Sequence, residues 1–182
     1  MLLASYITIR PGIQGIANRL IRWRLRSKES HTEVVFMPGD GVDNRMPDGT
    51  CEPDATGALW CASSVAWERL PEWSPRRAGR RGGVRFKRIA LKPEHWHLQP
   101  YQRDPVAAVE VFKRLEGQAY SWRLILGWVG WLITVIWPPS RRKRVCSQVS
   151  AEAGGVDPDE AWRFDPPILR RAVEAENGGS AQ

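Results

Sequence analysis

Cysteine and histidine are both scarce in this chain, and each shortage closes off a class of protein. The 182 residues hold only three of each. Cys51, Cys61 and Cys146 stand at irregular spacing, an odd set that fits neither a disulfide framework nor a zinc-binding pattern. The thiols are therefore expected to be reduced, and no metal or cofactor is expected. His95 and His97 flank Trp96 closely enough to share a metal, but no third ligand stands nearby.

Long apolar runs are missing as well. The strongest candidate, Leu124 to Trp137, is 14 residues long and is stopped by Pro138-Pro139. Spanning a bilayer takes about 20 residues, so a buried core or groove element is expected, with contact at a membrane surface as the alternative. Met1 to Ala4 is too short for the apolar core of a leader, and Arg10-Pro11-Gly12 ends it. With neither a signal peptide nor a transmembrane helix in view, cytoplasmic synthesis is expected, with association with a virion as one setting. There is no internal repeat. Gly39-Asp40-Gly41 and Gly82-Gly83 do not open helices, which a phosphate-binding loop would require.

Tryptophan and arginine, by contrast, are abundant. Ten tryptophans against four phenylalanines and three tyrosines must be buried or sit at an interface. A net charge of +7 favours anionic partners: phospholipid, cell-wall polymer, nucleic acid or an acidic neighbour. Basic clusters at 76–88 and 141–144 invite a nucleic-acid reading. The tryptophans, however, lie mostly in apolar context rather than among the arginines, so base stacking is not expected.

The length suits one domain with a full core, taken as residues 1–176, with 177–182 as a disordered tail. Patterning predicts strands over Ser5–Arg10, Thr32–Phe36, Ala58–Ser64 and Val84–Leu91. Val84 and Phe86 fall on one face of the last, Arg85 and Lys87 on the other, and a change of parity at Arg88-Ile89 suggests a bulge or a strand end. A helix is predicted over Ile13–Arg26, with Arg19, Arg22 and Arg26 on one face as a solvated or anion-binding surface. Asp104-Pro105 caps a second helix that carries Ala108, Phe112, Leu115 and Ala119 on one face, pairs Glu110 with Arg114 and ends at Gly117. A third runs from Cys146 to Gly154-Gly155, and a fourth from Asp165-Pro166-Pro167 to Glu176. Strands in the middle flanked by helices give an α+β class, a small antiparallel sheet packed against helices.

Cys146 opens its helix directly after a basic run. A helix N-terminus carries partial positive charge, which lowers a thiol pKa and favours the nucleophilic thiolate. His31, at the start of a strand far upstream, is a rigidly held base that can take the thiol proton. Period two puts Glu33 on the same face, although about 6–7 Å of strand separates the two residues. Cys51 lies in a Gly/Pro loop and Cys61 in mid-strand, where burial raises a thiol pKa.

Four short motifs in order carry a resemblance. Ser30-His31-Thr32-Glu33-Val34-Val35 resembles the His-bearing strand of circularly permuted papain-like proteins, the YiiX/YaeF-type branch of the NlpC superfamily related to lecithin:retinol acyltransferase. Gly83-Val84-Arg85-Phe86 and Gly117-Gln118-Ala119-Tyr120-Ser121-Trp122 are similar to that group's intervening segments, and Val145-Cys146-Ser147-Gln148-Val149 to its nucleophile helix. The likeness covers roughly residues 4–170. It implies a permuted papain-like, NlpC-type fold in which Cys146 is the nucleophile and His31 its base, with the Cys146 backbone N–H and the Tyr120 hydroxyl as oxyanion donors. The group places a third polar residue, often Glu, on the next strand. Here that stretch reads Cys61-Ala62-Ser63-Ser64, which leaves Ser64, Ser63, Glu33 or Glu68 to orient His31. Ser121 and Gln148 replace acids of the pattern.

The activity implied is acyl transfer by a cysteine hydrolase. One expectation is an amidase or endopeptidase of peptidoglycan peptides in a phage tail or bacterial envelope. A second is a lipid-directed acyl hydrolase or acyltransferase, with Leu124–Trp137 and the basic first helix toward a membrane. A third is a structural subunit bound to virion or envelope proteins, its chemistry weakened by the missing acid.

Overall fold

The computed structural model describes residues 1–9, 12–121 and 145–179. The apolar segment Leu124–Trp137 and the basic run 141–144 lie outside the described residues. Five strands form one antiparallel sheet: β1 (Leu2–Tyr6), β2 (His31–Phe36), β3 (Leu59–Arg69), β4 (Arg81–Ile89) and β5 (Trp96–Pro100). They are ordered β4-β3-β2-β1-β5. The helices among the described residues are α1 (Gly12–Leu25), α2 (Pro105–Leu115), α3 (Cys146–Ala153) and α4 (Pro166–Gly179). The α+β class is as expected.

The two faces of the sheet follow from strand alternation. Leu3, Val34, Phe36, Ala62, Val84 and Phe86 pack against Ala108, Val109, Phe112 and Leu115 of α2 and Val149 of α3. Phe36, Phe86 and Phe112 meet at ring-centroid distances of 6.0–6.4 Å. The opposite face gathers Ala4, Val35, Cys61 and Trp96, with Leu2, Ile89 and Leu91 at its margin. β4 and β5 are consecutive in the chain yet occupy opposite edges of the sheet, so their connection has to cross it. That coverage makes β2 and the first half of β3 buried on both faces.

Some boundaries differ from the sequence expectation. The first strand is Leu2–Tyr6 rather than Ser5–Arg10, because its partner β2 pairs Leu2 with Val35 and Tyr6 with His31. β5 is an additional strand, paired with β1 along its whole length. The parity change at Arg88-Ile89 is a strand end rather than a bulge: β4 stops at Ile89, pairing runs unbroken from Leu59↔Ile89 to Val65↔Gly83, and the irregularity falls between Val65 and Arg69 of β3. The cap of α2 is as expected, with Asp104 Oδ1 accepting from the Val106 N–H at 2.9 Å. Glu110 pairs not with Arg114 but with Arg45, and Arg114 reaches Glu152 at 2.7 Å. α4 continues past Glu176 to Gly179, so residues 177–179 are helical. No helix of the described residues is long and apolar enough to cross a membrane.

One glycine decides how β4 feeds the site. Gly83 has φ +147°, and a Cβ there would sit 2.5 Å from the Gln118 carbonyl oxygen. That close approach lets Val84 N–H donate to Gln118 O (3.0 Å) and Gly117 N–H donate to Val84 O (2.9 Å). The segment leading to Tyr120 is thus stitched to the sheet edge.

Candidate active site

Cys146 is the first residue of α3, a helix buried along its whole length. Gln148 caps it: its Oε1 accepts the Val145 N–H at 3.1 Å. A neutral amide does this as well as a carboxylate would, and it adds no negative charge beside the thiol. The helix seats against β2, where Thr32 Oγ1 and Ser150 Oγ lie 3.4 Å apart. Packing α3 on β2 brings Cys146 against His31 at the start of that strand.

The thiol is 3 % exposed. Burial alone would raise its pKa, but the His31 charge, a hydrogen bond with His31 and the backbone N–H groups of Thr32 and Ser147 outweigh burial and lower it. His31 moves the other way. Burial disfavours its cation, yet the Cys146 thiolate and Glu33 raise its pKa to about 9. Together these shifts favour a thiolate–imidazolium pair near neutral pH. Tyr120, 9 % exposed, stands close enough for its hydroxyl to feel the thiolate; burial and that charge push its pKa well up, so it stays a neutral donor.

The His-bearing strand itself supplies a carboxylate to His31. Glu33 Oε1 is 2.7 Å from His31 Nε2, which leaves Nδ1 as the nitrogen available to the thiol. The strand spacing that made this bond uncertain is closed by the long Glu side chain and by what holds its far end. Arg85 of β4 grips the carboxylate with both arms, Nη1 to Oε2 at 2.7 Å and Nη2 to Oε1 at 2.8 Å. Burial would raise the Glu33 pKa, but Arg85 and His31 hold it down at about 2. Arg85 also binds Glu68 at 3.1 Å, and Glu68 pairs with Lys87. The chain Cys146–His31–Glu33–Arg85–Glu68–Lys87 therefore runs from the buried thiol out to solvent.

Neither serine takes the orienting role. Ser63 Oγ donates to the Thr32 carbonyl at 2.6 Å. Ser64 shares the parity of Ala62 on the helix-facing side, whereas Glu33 shares that of Val35 on the other. Glu68 reaches His31 only through Arg85 and Glu33. Ser63 matters by being small: it pairs with Arg85 across β3–β4, and its short side chain leaves the guanidinium a lane across β3 to Glu33. Arg85 is the residue of this network that motif reading passed over. Its signal was an arginine whose neighbours Val84 and Phe86 alternate into the core, which placed it on the face that Glu33 occupies.

The remaining candidates stand apart. Cys51 is pushed up to about 11 by burial and by Asp43 and Asp40, and burial carries Cys61 well above its ordinary value. His95 Nδ1 meets Thr8 Oγ1 at 3.1 Å, and His97 faces Glu174 at 3.8 Å. No group of three metal-ligating side chains occurs among the described residues.

Comparison of the chain with family models, with curated proteins and with solved structures gives no significant match in any of the three.

Proposed function

We propose that the chain is a cysteine hydrolase of permuted papain-like type that works by acyl transfer. The observation that carries this reading is the buried Cys146–His31–Glu33 series, in which thiol and imidazole shift each other's pKa toward the ion pair. Cys146 Sγ attacks an amide or ester carbonyl. The carbonyl oxygen takes the negative charge, with the Cys146 backbone N–H and the Tyr120 hydroxyl as donors. One such donor is worth about 3–4 kcal/mol of barrier. His31 gives its proton to the leaving amine or alcohol, and the acyl group stays on sulfur as a thioester. Water or an acceptor, deprotonated by His31, attacks the thioester and frees Cys146. Glu33 keeps the imidazole in one tautomer and stabilises its cation.

A peptide amide of an anionic wall polymer, met in a phage tail or bacterial envelope, is one substrate class this chemistry and the +7 charge suit. The Glu33 carboxylate bound to His31 supports this reading over that of a silent scaffold. The test is alkylation of Cys146 by iodoacetamide across pH. Cys51 and Cys61 are protonated at neutral pH, so the early phase reports Cys146. The expected midpoint lies below the free-thiol value of about 8.5, and His31→Ala raises it. A midpoint near 8.5 that ignores His31→Ala overturns the reading.

A further inference from the structure

We infer that α1 is a docking surface for anionic lipid bilayers, placed on the wall of the thiol site. Three apolar side chains of α1 point to solvent: Ile16 is 60 % exposed, Leu20 46 % and Trp23 72 %. At 100° per residue they fall within about 60° of one another and form a single stripe. Arg19 and Arg24, both exposed, flank the stripe on its two sides. Residues 1–28 contain Arg10, Arg19, Arg22, Arg24, Arg26 and Lys28 and no acidic residue. The first carboxylate, Glu29, is turned away to Arg170 at 2.9 Å.

This pattern selects the occupant. A soluble anionic polymer would pair with the arginines but gain nothing from an apolar centre. A bilayer with anionic headgroups satisfies both, taking Ile16, Leu20 and Trp23 below the headgroups and the arginines at them. The other side of the helix is anchored. Ile21 packs against Tyr120 and Val145, and Asn18 Nδ2 donates to Ser30 Oγ at 2.6 Å. Docking by the exposed stripe therefore holds Cys146 close to the membrane surface. Resting on the thiol-hydrolase reading, this sets the thiol to act on substrates presented at the membrane surface.

The test is co-sedimentation of the full chain with phosphatidylcholine vesicles, with mixed phosphatidylcholine–phosphatidylglycerol vesicles, and with dextran sulfate as a lipid-free polyanion. Binding to the mixed vesicles is expected, weakened by salt. Leu20→Ser and Trp23→Ser should each lower it about tenfold, while the pH profile of Cys146 alkylation stays as in the wild type. Equal binding to both vesicle types, no binding to either, or dextran sulfate binding that competes with the vesicles and is indifferent to Leu20→Ser overturns the inference. Cys146→Ala should bind vesicles as the wild type does, so failure of the catalytic reading and failure of docking are read separately.

Discussion

At the scale of single residues, the decisive group is Glu33, and what it does depends on Arg85. A lone buried carboxylate would drift toward its neutral form, and a neutral acid would stabilise the His31 cation little. Two short charge-assisted bonds from Arg85 keep it ionised. Glu33→Gln retains a hydrogen-bonding side chain but removes the charge. The His31 pKa should fall, and the midpoint of Cys146 alkylation should rise by about one unit, worth about 1.4 kcal/mol. Arg85→Met leaves the buried Glu33 with His31 as its remaining cationic partner, so denaturant unfolding should show a loss of about 3 kcal/mol. Arg85→Lys keeps the charge but not the two-armed grip, and should fall between wild type and Arg85→Met in both measurements. Equal stability of wild type and Arg85→Met would refute the role given to this pair.

At the scale of elements, the site is a product of register. β2 delivers His31 and Glu33, β4 delivers Arg85, and β3 between them must stay low where the guanidinium crosses. Ser63 meets that need. Ser63→Leu should fill the lane, displace Arg85 and raise the Cys146 alkylation midpoint as Glu33→Gln does. Ser63→Ala, which keeps the lane open and loses only the bond to Thr32 O, should leave the midpoint in place. If both variants behave alike, the lane is not what matters. This arrangement also marks where sequence reading stopped. The alternation of Val84, Arg85, Phe86 and Lys87 was legible, as were the Asp104 cap and the Cys146 helix start, because each depends on neighbours within a few residues. The partner of Glu33 was not legible, because it depends on which strand lies two places away in the sheet. β5 was missed for a related reason: Trp96–Pro100 is only five residues long and ends in proline, and what makes it a strand is its pairing with β1. The same long-range pairing moved Glu110 and Arg114 away from each other to partners outside their helix.

At the scale of the whole molecule, one buried ion network ties β2, β3 and β4 together, so the site and the fold share a pH dependence. The folded-state pKa of Glu33 is depressed from about 4.5 to about 2. A depressed carboxylate contributes stability that is fully present above its unfolded pKa and is lost as pH falls through the folded value. The window is thus about pH 4.5 down to 2, and the span corresponds to at most roughly 3 kcal/mol. His31 has the opposite sign. Its pKa is raised to about 9, so its contribution is complete below about pH 6.5 and is lost as pH rises through 9. Stability should therefore be broadest between these limits. Acid will also add positive charge to a chain already at +7, and self-repulsion will steepen the loss. Comparison with Glu33→Gln separates the two effects, since the variant carries the repulsion but not the linkage. Denaturation midpoints measured from pH 7 to pH 2 should converge as pH falls: the wild type starts more stable and loses its advantage between 4.5 and 2. A gap between wild type and variant that stays constant across that window would mean that Glu33 is no more ionised in the folded chain than in the unfolded one. The buried series from Cys146 to Lys87 would then lose its central charge.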